Sequence, residues 1–174
     1  MGIQFETDYN METLTAMAKS LRKTVRKKRS GRVHIFAAVV LILGLLTILA
    51  TTAGGEPLGA SGVVTLLAML VVILVSLFED KLNAWFARKR LLPGTEHAVA
   101  TFEEDGYVSA TSMSESKFSY AQIVAVAETE RYFVFALSSH HTQAYDKRTI
   151  RGGSVEDFRA FIAEKTGKLV ENIK

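Results

Sequence analysis

The stretches VHIFAAVVLILGLLTILATTAGG (residues 33–55) and LGASGVVTLLAMLVVILVSLF (residues 58–78) decide how this chain is built. Neither contains Lys, Arg, Asp or Glu, and the break between them, Thr51 to Pro57, carries Glu56 as its one charge. At 1.5 Å per helical residue, about 20 apolar residues match the roughly 30 Å hydrocarbon thickness of a bilayer. A helix in a soluble domain usually runs about 10–14 residues and keeps a polar face. Two such runs, joined through Gly54, Gly55 and Pro57, predict an antiparallel transmembrane hairpin. Gly44, Gly59, Ala60, Ser61 and Gly62 are small enough to let the helix backbones approach closely. His34 is the one ionisable side chain within the runs, near an end and beside Arg32, a pattern that argues against a transporter or pump. A cleaved signal peptide fits poorly, because its apolar core spans about 7–15 residues behind a short leader and no second span follows at once.

Charge gives the hairpin a direction. Residues 1–32 hold eight basic and three acidic side chains, whereas residues 97–174 hold nine and eleven. Arg22, Lys23, Arg26, Lys27, Lys28, Arg29 and Arg32 stand before the first run, and Arg88, Lys89 and Arg90 follow the second. Positively charged flanks stay on the cytoplasmic side, so both termini are expected there. The same cluster would attract anionic lipid, as a by-product of topology. It has no interleaved aromatic residues and abuts the apolar run, which argues against nucleic acid as a partner. The chain has no Cys, which excludes disulfides and thiolate metal sites and fits a reducing compartment.

The remaining residues divide around the hairpin. Residues 1–32 predict a short strand at Ile3 to Phe5 and a basic amphipathic helix capped by Thr7 or Asp8, with Met11, Leu14, Met17, Ala18, Leu21 and Val25 on one stripe. That stripe, with Met and Ala in place of Trp and Phe, suits packing against the protein's own domain better than a membrane surface. Residues 33–91 hold the hairpin and a cytosolic helical extension, in which Trp85 and Phe86 would anchor at the interface or dock on the domain before Pro93 and Gly94 end the helix. Residues 92–174 read as short strands of period two, at 98–102, 107–111, 117–120, 124–129, 132–137 and 142–146. Asp105-Gly106 would supply the positive φ angles of a tight hairpin turn. Ser154 to Asp157 has the spacing of a capping box and opens a helix with Phe158, Phe161 and Ile162 on its apolar face. Six antiparallel strands closed by one helix make an α+β domain.

Candidate chemistry is sparse. His140-His141 reads as a polar turn, since adjacent histidines on extended backbone point apart and His97 is distant in sequence. Ser154 follows Gly152-Gly153 without the Gly-x-Ser-x-Gly pattern of a nucleophile elbow, and a helix cap accounts for it. Glu103, Glu104 and Asp105 form a turn in this reading and not a catalytic pair. Lys147, Arg148 and Arg151, close before the last helix, are the candidate binding residues: an anion or phospholipid headgroup would meet them together with the helix's free amides. No cofactor or metal is expected.

The stretch from Phe102 to Lys165 resembles the C-terminal domain of the bacterial YcxB-like family. The matching features are the Glu-Asp-Gly turn, Tyr120 and Ile123, Glu128 before Tyr132-Phe133-Val134-Phe135, Tyr145 with Lys147-Arg148, and Asp157-Phe158-Arg159 at the helix start. Asp146 departs from the pattern, which has Pro there. The resemblance implies a pleckstrin-homology-like fold behind two membrane spans, and no catalytic activity. A pleckstrin-like sheet has about seven strands, so Ile3 to Phe5 is expected to reach back and supply the seventh. The chain is thus expected to be an α+β membrane protein: a two-helix transmembrane hairpin plus a cytosolic pleckstrin-homology-like antiparallel β domain closed by a C-terminal helix. Its expected place is the bacterial inner membrane, multi-pass, and its expected action is binding, of a protein partner, its own copies or lipid, without catalysis. The alternative is a membrane immunity or envelope-stress protein that works through its hairpin.

Overall fold

The computed structural model describes residues 2–55 and 57–173; Glu56, the lone charge between the apolar runs, lies outside the described residues. The chain divides into two bodies, one formed by everything up to Lys27 and from Asn83 onward, the other by Lys28–Leu82.

The second body is helical. α2 (Lys27–Ala53) follows α1 (Met11–Lys23), and α3 (Ala60–Leu77) begins after a connection in which Gly55 takes a positive φ. Both α2 and α3 are long and apolar enough to cross a membrane, and neither buries a residue. They meet at Gly44, where an added Cβ would lie 2.8 Å from Met69 Sδ and 3.6 Å from Thr65 Cγ2. Among the small residues named above, Gly59 has open space around it and Gly62 faces its own Leu58. α4 (Glu79–Lys89) starts after a break at Phe78, whose φ of −104° and ψ of 16° end α3. The expected uninterrupted extension is therefore two helices. His34 sits within α2 with Nε2 3.7 Å from Glu79 Oε2.

The first body has two four-stranded sheets. β1 (Ile3–Asp8), β2 (His97–Phe102), β3 (Tyr107–Thr111) and β4 (Glu115–Phe118) pair antiparallel in that order. The expected N-terminal strand forms and is longer than anticipated, with Ile3 opposite Phe102 and Asp8 opposite His97. The other sheet runs β7 (Thr142–Asp146), β6 (Tyr132–Ala136), β5 (Ala125–Glu128) and β8 (Val170–Asn172), the last parallel to β5. Among the described residues eight strands replace the seven expected, because the three-residue β8 is too short for periodicity to reveal.

Alternation places the aromatic residues. Phe5, Phe102, Phe133 and Phe135 meet Phe158 of α5 (Val155–Thr166), which is fully buried, and Tyr107 and Tyr145 complete the same core. Phe158 lies 4.7 Å from Phe5 and 4.8 Å from Phe102, ring centroid to centroid, in edge-on contacts that each contribute about 0.5–1.5 kcal/mol beyond burial. The other face of the second sheet, through Ala127, Tyr132, Val134 and Ala144, packs on Ala16 and Met17 of α1 and on Ile173. Covered on both faces, β6 is buried along its whole length and reads as an unbroken apolar run. The amphipathic stripe of α1 thus packs on its own domain, as its composition suggested.

Three local expectations are corrected. Asn10 caps α1, its Oδ1 accepting from Glu12 N and Thr13 N at 2.9 and 3.0 Å, because Thr7 and Asp8 are still in β1. No residue of the Glu103–Gly106 turn has a positive φ; Gly106 is required because a Cβ would lie 2.5 Å from Phe118 O. The strand expected at 117–120 is β4 and ends at Phe118, and Ser119 caps a short 3-10 turn over Tyr120–Gln122, so Tyr120 leaves the ladder. The Ser154–Asp157 capping box forms as expected, with both reciprocal bonds at 3.1 Å.

Candidate functional site

The basic residues before α5 do not converge on one point. Lys147 Nζ binds Glu128 Oε1 at 3.0 Å and Thr129 O at 2.7 Å. Arg148 binds Asp146 through Nε at 3.2 Å and Nη2 at 3.0 Å. Arg151 pairs with Glu6 at 3.1 Å, and its backbone exchanges two 2.9 Å hydrogen bonds with Gln4. Each of the three has its own carboxylate. At the helix start behind them, Ser154 and Asp157 already engage the first amides, and Glu156 adds a second negative charge where an anion would sit.

Two buried carboxylates organise this region. Glu128, 5 % exposed, accepts from Arg159 Nε and Nη2 at 2.6 and 2.8 Å as well as from Lys147. The Arg159 hydrogen bonds, helped by Lys147 and opposed by burial, hold its carboxyl below the usual Glu range. Asp146, equally buried, accepts from Arg131 Nε and Nη2 at 3.0 and 2.8 Å and from Arg148, and caps the turn Lys147–Thr149 by accepting from Arg148 N. Asp146 N donates to Thr7 Oγ1 at 3.1 Å, and Thr149 Oγ1 bridges the N–H and C=O of Glu6 at 2.9 and 2.7 Å. The segment after β7 thereby stitches down the free edge of β1.

Residues 102–162 match the family model of YcxB-like protein. No curated protein and no solved structure matches the chain. The YcxB-like stretch begins at the end of β2 and ends within α5. Its motif residues meet each other in space: Glu128 joins Lys147 to Arg159, Phe158 fills the centre of the core, and Tyr120 OH donates to Glu103 O and Gly106 O at 2.6 and 2.9 Å, pinning the Glu-Asp-Gly turn. The motifs that carry the YcxB-like resemblance are framework residues.

A cleft of about 400 Å³ lies elsewhere on the same body. Leu14, Met17, Leu91 and Phe118 give it an apolar floor, and Ser109, Thr111, Ser116 and His141 line its rim. Gln143, 7 % exposed, reaches its wall and accepts from Tyr107 OH and Tyr145 OH, both at 2.7 Å. Burial pushes the neighbouring Tyr9 phenol up to about 12 and raises Tyr107 and Tyr145 further, so all three remain neutral donors at physiological pH. This wall hydrogen-bonds without carrying charge. No spacing rule singled out Gln143; its place two residues from Tyr145 on one strand face was the available signal. His140 Nδ1 lies 2.9 Å from Arg26 Nη2, and Arg26 Nε donates to Ser139 O at 2.6 Å, so the His-His turn holds one of the flanking arginines. Among the described residues no cluster of three or more His, Asp or Glu is placed to hold a metal ion. Lys28, Arg29, Arg32, Arg88, Lys89 and Arg90 are solvent-exposed.

Proposed function

We propose that the chain is a binding protein of the bacterial inner membrane, in which the α2–α3 hairpin spans the bilayer, both ends of the chain lie in the cytoplasm, and the two-sheet body is a pleckstrin-homology-like module. It acts by binding a protein partner, another copy or lipid, and not by catalysis. The observation that carries this reading is the contrast in burial: α2 and α3 leave large apolar side chains such as Phe36 and Val64 at 70 % and 64 % exposure, while the other body closes its aromatic core completely. Apolar surface on that scale needs a non-aqueous cover. The basic residues on both flanks and the charge-poor connection support the orientation. Two sheets packed around a C-terminal helix support the pleckstrin-like assignment, and a YcxB-like motif set spent on the framework supports a scaffold for binding.

The chain has no Cys, so single cysteines report topology without background. A membrane-impermeant maleimide should label Gly54→Cys from outside intact cells and Leu169→Cys only after permeabilisation; the reverse pattern would overturn the orientation. A second reading, in which the hairpin itself works in membrane immunity or envelope stress, draws on the close α2–α3 approach at Gly44. Replacing residues 33–78 with an unrelated two-span hairpin separates the two: partners captured by crosslinking persist under the binding reading and vanish under the second.

A further inference from the structure

We infer that the exposed aromatic face of α4 is a lipid-contact surface that seats in the anionic headgroup region of the bilayer. The inference rests on the membrane reading above and adds a named partner for the soluble body. At about 100° per residue, Trp85, Phe86 and Lys89 share one face of α4, and Arg90 follows just past its end. The opposite face belongs to the protein: Ala84 is fully buried, and Ala87 lines the cleft shared with Leu14 and Met17. Trp85 and Phe86 are therefore not docked on the domain, and they stand 44 % and 51 % exposed.

Geometry and charge select the occupant. The Trp85 and Phe86 rings contact edge-on at 4.9 Å, and Lys89 Nζ lies 3.7 Å from the Trp85 ring centroid, so a cation already caps the indole on the aromatic face. An amphipathic ring beside cations suits the headgroup level, where its apolar body meets acyl chains and its N–H meets water or phosphate. The second half of the helix and the residue after it hold Arg88, Lys89 and Arg90 and no acid, complementary to anionic lipid. Continuity adds to this: Trp85 follows Leu77, the last residue of α3, by only eight positions.

Trp85 is the one Trp in the chain, so the native protein carries its own probe. The full chain is placed in nanodiscs of zwitterionic lipid with phosphatidylglycerol added as the anionic component. Its emission is quenched by nitroxides at the headgroup, by nitroxides deep in the acyl chain, and by aqueous iodide. In parallel, Leu67→Trp on a Trp85→Phe background reports the middle of α3, where residue 67 is exposed. The inference expects the shallow nitroxide to dim Trp85 about twofold more than the deep one, with the bias weakening in purely zwitterionic discs. It expects the Leu67→Trp reporter to show the opposite depth preference. Trp85 open to iodide and untouched by either nitroxide, with the reporter deep, overturns the inference and leaves the membrane reading standing. Trp85 shielded from all three quenchers marks a protein contact and also overturns it, as does deep quenching of Trp85. A reporter that no lipid nitroxide reaches refutes the membrane reading, and the inference with it.

Discussion

The hairpin and the two-sheet body use apolar residues in opposite ways. In α2 and α3 no residue is buried, so the helices are specified largely by composition and length, and most positions are interchangeable. In the body, each of seven aromatic residues touches several others, so identity and position both matter. The lesson is that hydrophobicity alone carries little positional information; what specifies structure is the set of neighbours that each side chain must fit.

The sharpest way to break that contrast is to truncate one residue from each region. Phe102→Ala, which empties a site in contact with Phe5, Tyr107, Phe135, Tyr145 and Phe158, should destabilise the body by about 3–5 kcal/mol in urea unfolding. Leu67→Ala, 57 % exposed on α3, should leave that same transition unmoved. Next in size is Glu128→Gln, which removes the negative charge shared by Lys147 and Arg159 and should cost about 2–4 kcal/mol, less than a fully buried pair because Arg159 is partly exposed. Since the Glu128 carboxyl is held below its ordinary value of 4.5, its stabilising effect is complete above about pH 4.5 and is lost as pH falls through the lower folded value. The wild type should therefore lose stability on acidification more steeply than Glu128→Gln, as thermal melts from pH 6 down to about 3 would reveal.

One substitution made in both regions sharpens the comparison further. Gly152→Ala places a Cβ against the backbone oxygen of Gly2 at a φ of +83°, and should cost about 1–3 kcal/mol in the same urea assay. Gly44→Ala crowds the flexible side chain of Met69 and meets Thr65 at ordinary contact distance, and hairpin stability in detergent, read by steric trapping or proteolysis, should fall by less than about 1 kcal/mol. The smallest effect belongs to Ser20, whose Oγ is buried without a hydrogen-bond partner among the described residues. Ser20→Ala should raise the melting temperature slightly, reflecting a gain of up to about 1 kcal/mol.

Legibility in the sequence followed the same divide. The hairpin could be read from composition, and the α5 cap from four residues. The N-terminal strand followed from a strand count implied by the family resemblance, because Ile-Gln-Phe is too short to declare itself. β8 was invisible for a related reason: three residues pair with a strand about forty positions earlier, and nothing local records that partner. Lys147, Arg148 and Arg151 look like a free cationic cluster in one dimension, yet Glu128 and Glu6 reach Lys147 and Arg151 from distant strands, and Asp146 engages Arg148 from two residues before it. The cleft was equally hidden, since Leu14, Leu91 and Gln143 come from three separate segments.

The pairing of β1 with β2 also sets a timetable. Ile3 and its partner Phe102 are 102 − 3 = 99 residues apart, with the whole hairpin between them. At roughly 5–20 residues per second, the ribosome finishes β2 about 5–20 seconds after β1 has been made. Through that interval the first strand has no mate, and the apolar helices emerge while the body is still open. On the membrane reading proposed above, insertion machinery would receive the hairpin before the body's first sheet can close, and a fragment started after the hairpin would be born without its first strand.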